Sequence, residues 1–169
     1  MSQAAETHAE VHAHAPQAFI WKYVFSKDHK VIAVQYYVTA MLMALIAGAL
    51  AMLIRLQIAW PEKDWPTLGR VLSGGFNSGV MNPEFYAMLF TMHGTIMVFF
   101  VLSTAPVSGF GNLLIPLQIG ARDMAFPFLN GLSYWTFLLG CVVILTSFFV
   151  GAGAAAGGWP SYPPLSALR

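Results

Sequence analysis

Three long stretches of this chain carry no Asp, Glu, Lys or Arg: residues 31–54, 85–121 and 124–168. An α-helix needs about 20 apolar residues, at about 1.5 Å each, to cross roughly 30 Å of hydrocarbon. The first stretch, of 24 residues, predicts one span over about 31–57. The second has 37 residues and contains Pro106 and the string Ser108-Gly109-Phe110-Gly111-Asn112. These breakers predict a span over about 85–107, then a loop near the membrane surface. The third runs into Gly151-Ala152-Gly153, Gly157-Gly158 and Trp159-Pro160-Ser161-Tyr162-Pro163-Pro164. It predicts a span over about 128–151, followed by a loop lying on the membrane face. Backbone groups in hydrocarbon must be satisfied internally, and the alternation of a barrel strand is missing, so the spans are helices.

Composition agrees with an all-α membrane protein. Of 169 residues, 57% are hydrophobic and 9% charged, against roughly 25% charged in a soluble domain. The mean hydropathy is +0.65. Eight Lys and Arg nearly cancel seven Asp and Glu, leaving +1. That balance offers no basic footprint for nucleic acid. The single cysteine, Cys141, excludes a disulfide framework and a Cys-based metal site. It is expected to pack as a small apolar residue. Residues 1–20 form an Ala-rich, His-bearing stretch, read as a mobile tail without the apolar core of a signal peptide. His8, His12 and His14 are read as solvated there. Residues 21–169 form the membrane domain. Lys22, Lys27, Lys30 and Arg122 place the N-terminus and the 109–127 loop in the cytoplasm, and 59–84 and 152–169 outside.

Ionisable and polar residues inside apolar spans are expensive, so each is a functional candidate. His93, in Thr91-Met92-His93-Gly94-Thr95, lies eight residues into span two, about 12 Å deep at 1.5 Å per residue. A neutral imidazole there suits haem ligation or a proton relay, against the alternative of a hydrogen-bonded core histidine. Gly94 beside it leaves the helix flank open to a flat macrocycle. Arg55 closes span one on the same side as His93. It reads either as a snorkelling anchor or as a donor flanking the same ligand. Asn112, Asp123, Asn130 and Ser133 gather at the opposite boundary. A carboxylate at a channel mouth takes up protons, and amides and hydroxyls order the waters that pass them on. Ser133, three residues after Asn130, shares its helical face. The alternative has Asp123 capping a turn and pairing with Arg122.

Four strings resemble subunit I of the haem–copper terminal oxidases, most closely the cytochrome c oxidase type. They are Phe25-Ser26-Lys27-Asp28-His29-Lys30, Thr91-Met92-His93-Gly94-Thr95-Ile96-Met97-Val98-Phe99-Phe100, Pro116-Leu117-Gln118-Ile119-Gly120-Ala121-Arg122-Asp123-Met124-Ala125-Phe126-Pro127, and Trp159-Pro160-Ser161-Tyr162-Pro163-Pro164-Leu165-Ser166. Gly109-Phe110-Gly111-Asn112 leads into the third and Asn130 follows it. The resemblance runs from about Trp21 to Ser166. It implies that His93 is an axial ligand of the low-spin haem and metal ligand to its iron. It implies that Arg55 hydrogen-bonds that haem's formyl group, so that the cofactor is haem a. Asp123 falls on the mouth of the family's D proton pathway, with Asn112, Asn130 and Ser133 as its water-organising residues. Tyr86 matches a tyrosine that starts the haem-ligand helix. Trp159 falls near the haem propionates, and Tyr162 near the partner subunit II. The family reaction is reduction of dioxygen to water with electrons from cytochrome c, coupled to proton pumping.

A family subunit I has about twelve spans, so the resemblance implies the first quarter of that bundle, in a bacterial-type plasma membrane. The second axial histidine, the ligands of the second haem and of copper, and the inner glutamate are missing from this sequence. The chain is therefore expected to be a fragment or split product, inactive by itself. It would need the remaining spans and subunits II and III. Gln57 stands where many relatives carry a glutamate for an outer cation site. Related ubiquinol oxidases carry polar residues where this chain has Ile46, Leu50, Phe85 and Met88, which favours cytochrome c as donor. The alternatives are a ubiquinol oxidase subunit I, a non-enzymatic membrane packing protein and an independent haem-binding protein.

Overall fold

The computed structural model describes residues 19–71, 75–77, 80–150, 153–164 and 167. The readings made for residues 1–18 and for positions 151–152 and 165–166 lie outside this set. A π-helical turn, Ile20–Val24, leads into α1, His29–Ala59. The Asp28 side chain caps α1 by accepting from the Lys30 N–H, which satisfies one orphan donor of the first turn. The helix stops before Pro61, whose ring disfavours helical geometry at Trp60. A short helix α2, Pro66–Val71, and a two-stranded ribbon follow. Its strands, β1 (Phe76–Asn77) and β2 (Val80–Met81), pair antiparallel, Phe76 opposite Met81.

The second span is α3, Pro83–Thr95, continued by π-helical turns Ile96–Leu102 and Ala105–Phe110 and by α4, Gly111–Ile119. Asn82 caps it through the Glu84 N–H, and Pro83 takes the first turn, where its missing N–H costs nothing. Helical structure runs over Pro83–Ile119, 37 residues. The expected loop at 108–112 is therefore corrected: these residues are helical, and the loop starts at Gly120. The reason is local. The chain widens to π geometry around Pro106, as Ser103 N–H donating to the Val98 carbonyl shows. The Ser103 and Thr104 hydroxyls donate to the carbonyls of Val98 and Phe99. Membrane helices absorb proline in this way. Gly109 serves close packing rather than a turn. A Cβ there would sit 3.0 Å from the Tyr37 ring. The real stop is Gly120, at φ 70°, with the Ala121 N–H returning to the Pro116 carbonyl, a left-handed C-terminal cap.

Span three is α5, Pro127–Thr146, ending in a 3₁₀ turn, Ser147–Phe149. Among the described residues three helices are long and apolar enough to cross a membrane, starting one or two residues before the predicted positions. The chain reverses at each connection, so α1 and α5 begin at one end, where the second span finishes. α1 is the shared wall. Its buried residues, His29, Ile32, Ala33, Tyr36, Thr39, Ala40, Met43 and Ala47, form one stripe at heptad spacing. Ala33, Ala40 and Ala47 let the neighbouring backbones approach. Met43 and Ala47 meet Met92, Ile96, Cys141 and Ala154 toward one end, and Ile32 and Tyr36 meet Tyr134 toward the other. Much of the remaining surface is apolar and exposed, including Leu42, Leu45, Met52, Leu139 and Val143, as a lipid-facing helix bundle requires.

Candidate functional site

His93 lies half-buried on the last turn of α3. Its Nδ1 is 2.9 Å from the Ala47 carbonyl on α1. A carbonyl only accepts, so Nδ1 carries the proton and donates it. In the neutral imidazole Nε2 then keeps its lone pair. An imidazole oriented by a backbone carbonyl through one nitrogen presents the other as a metal ligand, the usual second-sphere arrangement. Met92 and Ile96 beside it are buried, with Met43, Ala47 and Ala154 in the same apolar cluster.

The loop after α5 closes over this turn. The Gly158 N–H donates to Thr91 Oγ1 at 2.9 Å. Trp159 packs on Gly94, where a Cβ would lie 3.2 Å from the indole's Cβ and Cδ1. The flank of Gly94, expected to stand open to a macrocycle, is covered by Trp159. The absence of a side chain there lets the loop seat. Arg55 is exposed and, among the described residues, makes no hydrogen bond or ion pair. It lies eight residues beyond Ala47 on α1, about 12 Å along the axis. Tyr162 is 76% exposed.

At the opposite end, Asp123 Oδ1 accepts from its neighbour's amide, Met124 N–H, at 2.8 Å and lies 3.1 Å from His29 Nδ1. Asp123 thus pairs with the first residue of α1. Among the described residues Arg122 and Asp123 form no ion pair, contrary to the alternative reading. His29 is 2% exposed, and its Nε2 is buried without a partner. Further in, Ser133 Oγ donates to the Asn130 carbonyl at 2.7 Å and lies 2.9 Å from the Tyr36 hydroxyl. Because the serine proton is already used, Tyr36 donates and Ser133 accepts. Thr39 Oγ1 meets the Tyr134 hydroxyl at 3.1 Å. Asn112 is buried and its amide donates to the Ser108 carbonyl. The Asn130 Nδ2 group is buried without a partner. Such a donor ordinarily finds a water or a further polar group.

The chain matches the family model described as "Cytochrome C and Quinol oxidase polypeptide I" over residues 31–169. The chain belongs to this family. It is 42% identical to "Alternative cytochrome c oxidase subunit 1" of Bradyrhizobium diazoefficiens, over 94% of the chain and 24% of that protein. It is 41% identical to "Cytochrome c oxidase subunit 1" of Thermostichus vulcanus, over 90% of the chain and 25% of that protein. "Heme-copper oxidase subunit I+III" of Aeropyrum pernix is 41% identical over 89% of the chain and 16% of its own length. The chain therefore spans about a quarter, or less, of the relatives it matches. Complete members of this haem–copper oxidase family hold haem and copper.

Within this oxidase segment, sequence reasoning left out four residues that the fold brings into play: His29, Tyr36, Thr39 and Tyr134. His29 lies at a span's end, where membrane depth gives no signal. Tyr36 and Thr39 fall four and seven positions from Ile32, on α1's buried stripe, and that periodicity was the available signal. Their partners on α5 are about 95 residues away in sequence, so no local pattern could pair them.

Proposed function

We propose that this chain is the N-terminal quarter of the catalytic subunit of a proton-pumping cytochrome c oxidase. In that reading His93 is one axial ligand of the low-spin haem. Its Nδ1–H to the Ala47 carbonyl is the observation that carries the proposal, because it orients the ring and, in the neutral imidazole, leaves the Nε2 lone pair to bind iron. When bound, the haem supplies one-electron transfer. The protein's part is to hold the imidazole's orientation and to keep water away with Met92, Ile96 and the loop at Trp159. Arg55 is assigned to the haem's formyl group, which makes the cofactor haem a, and Trp159 to the propionate side. A second haem and copper belong to the complete subunit.

Asp123, Asn112, Asn130 and Ser133 are assigned to proton uptake. Asp123 is exposed and linked to buried His29, so a proton arriving from bulk water meets a carboxylate with a titratable partner behind it. The directed pair Tyr36 to Ser133 lies further along α1 and α5, and the orphaned Asn130 amide supports a bound water there. The Lys22, Lys27, Lys30 and Arg122 side is assigned to the cytoplasm of a bacterial plasma membrane. Cytochrome c is the assigned donor. Ile46, Leu50 and Met88 pack against the apolar cluster and the Phe85 ring against Phe76, leaving no polar group for a quinol. Subunits II and III are the assigned partners, with Tyr162 toward subunit II. The 169-residue chain alone reduces no dioxygen in this reading, because His93 is the single histidine within the spans away from their ends.

The test is His93→Ala in the assembled oxidase, read by the low-spin haem absorbance. The signal is expected to vanish while the apolar spans still insert. An unchanged signal removes His93 as ligand.

A further inference from the structure

Where α1 and α5 begin, the lead-in to α1 crosses the first two turns of α5 and leaves a slot of about 180 Å³. Its walls are apolar: Phe25, Pro127, Phe128, Leu132 and Trp135. Phe25 stacks on Trp135 at 5.0 Å between ring centroids. Gly131 forms the floor, where an added Cβ would have only the Ser26 carbonyl within 4 Å, at 3.8 Å. The slot runs from the helix ends to Trp135, eight residues into α5, about 12 Å into the apolar layer. Its mouth is therefore at the membrane interface and its inner end in the acyl region. Phe19 and Tyr23 in the lead-in and Phe126 just before α5 are exposed as well, aromatic residues of the kind that sit at headgroup level.

Lys27 lies in the wall of this slot and is exposed. The nearby acids point elsewhere. Asp123 holds His29 and the Met124 N–H. Asp28 caps α1 and lies 3.7 Å from His29. Among the described residues Lys27 has no acidic partner within 4 Å. A cation without a partner, on the rim of an apolar slot at headgroup depth, complements an anionic lipid: phosphate outside, acyl chain within.

We propose that this slot binds one anionic phospholipid, with an acyl chain lying against the stacked Phe25 and Trp135 rings and the phosphate on Lys27. The proposal depends on the chain spanning a membrane and not on its redox role.

The test uses the full chain, in the assembly with which it is purified, in phosphatidylcholine nanodiscs. A minor fraction of the lipid carries bromine on the acyl chains, as phosphatidylglycerol in one sample and phosphatidylcholine in the other. Bromine quenches nearby tryptophan, and the part of the signal due to Trp135 is the difference from a Trp135→Phe variant. Phosphatidylglycerol is expected to quench Trp135 at about fivefold lower mole fraction than phosphatidylcholine, the factor for one lysine near an anionic surface. Lys27→Gln should remove that preference and keep the weaker quenching. Gly131→Leu, which fills the floor, should remove quenching by both lipids while Cys141 stays unreactive, reporting an intact fold. Equal quenching by the two lipids overturns the proposal. So does a Trp135 shielded from both, which would mean that another protein segment covers the slot. A preference that survives Lys27→Gln overturns it as well.

Discussion

Gly94→Ala tests whether the loop at Gly158 and Trp159 is truly seated on the His93 turn. The new Cβ would meet Trp159 at 3.2–3.3 Å, and the atoms it meets are Cβ, Cγ and Cδ1, close to the loop backbone. The indole cannot swing away there without moving the chain that carries it. Overpacking of this kind costs about 1–3 kcal/mol. If the loop lifts, the Gly158 N–H to Thr91 Oγ1 bond is lost too, at about 1 kcal/mol. Replacing glycine inside a helix returns about 1 kcal/mol of propensity, but to the helix rather than to the docked loop. The docked loop should therefore lose about 1–3 kcal/mol, a factor of about 5–150 in its closed-to-open ratio. Hydrogen exchange at the Gly158 amide reads that ratio directly. Protection should fall by that factor in Gly94→Ala, and Thr91→Val, which removes the acceptor at nearly constant shape, should lower it as well. Unchanged Gly158 protection in both variants would refute the docking.

Tyr36→Phe and Ser133→Ala remove the two ends of one hydrogen bond, and a double-mutant cycle on unfolding should show coupling of about 0.5–1.5 kcal/mol; additive effects would show that the bond contributes nothing. Cys141 is 3% exposed, so a maleimide should label it only after the bundle is opened by a denaturing detergent, and rapid labelling in mild detergent would contradict the packing of α5. Asp123→Asn keeps an oxygen for the Met124 N–H but loses the carboxylate opposite His29. In an assembled oxidase it should slow proton uptake and leave haem absorbance intact, and equal loss of both would make Asp123 a structural residue.

The spans were legible because hydrocarbon penalises every charge and every unpaired backbone group, so the gaps between charges alone mark three helices. His93 was legible for the same reason, as an ionisable group at depth. The end of the second span was misjudged, because Pro106, Gly109 and Gly111 break helices in water. In this fold Pro106 is absorbed by π turns, and Gly109 fits the face of Tyr37. Neither compensation appears in local sequence.

The sequence by itself determined which segments cross the membrane and which ionisable residues are buried in them, since transfer from water is a property of each segment alone. Only the tertiary structure decided what those residues face. The Ala47 carbonyl that sets the His93 tautomer, His29 against Asp123, Tyr36 on Ser133 and Trp159 on Gly94 each join residues 46 or more positions apart. Such contacts depend on how the helices cross, which is set by the small residues on α1 together with the fit of Gly109 to Tyr37 and of Gly94 to Trp159.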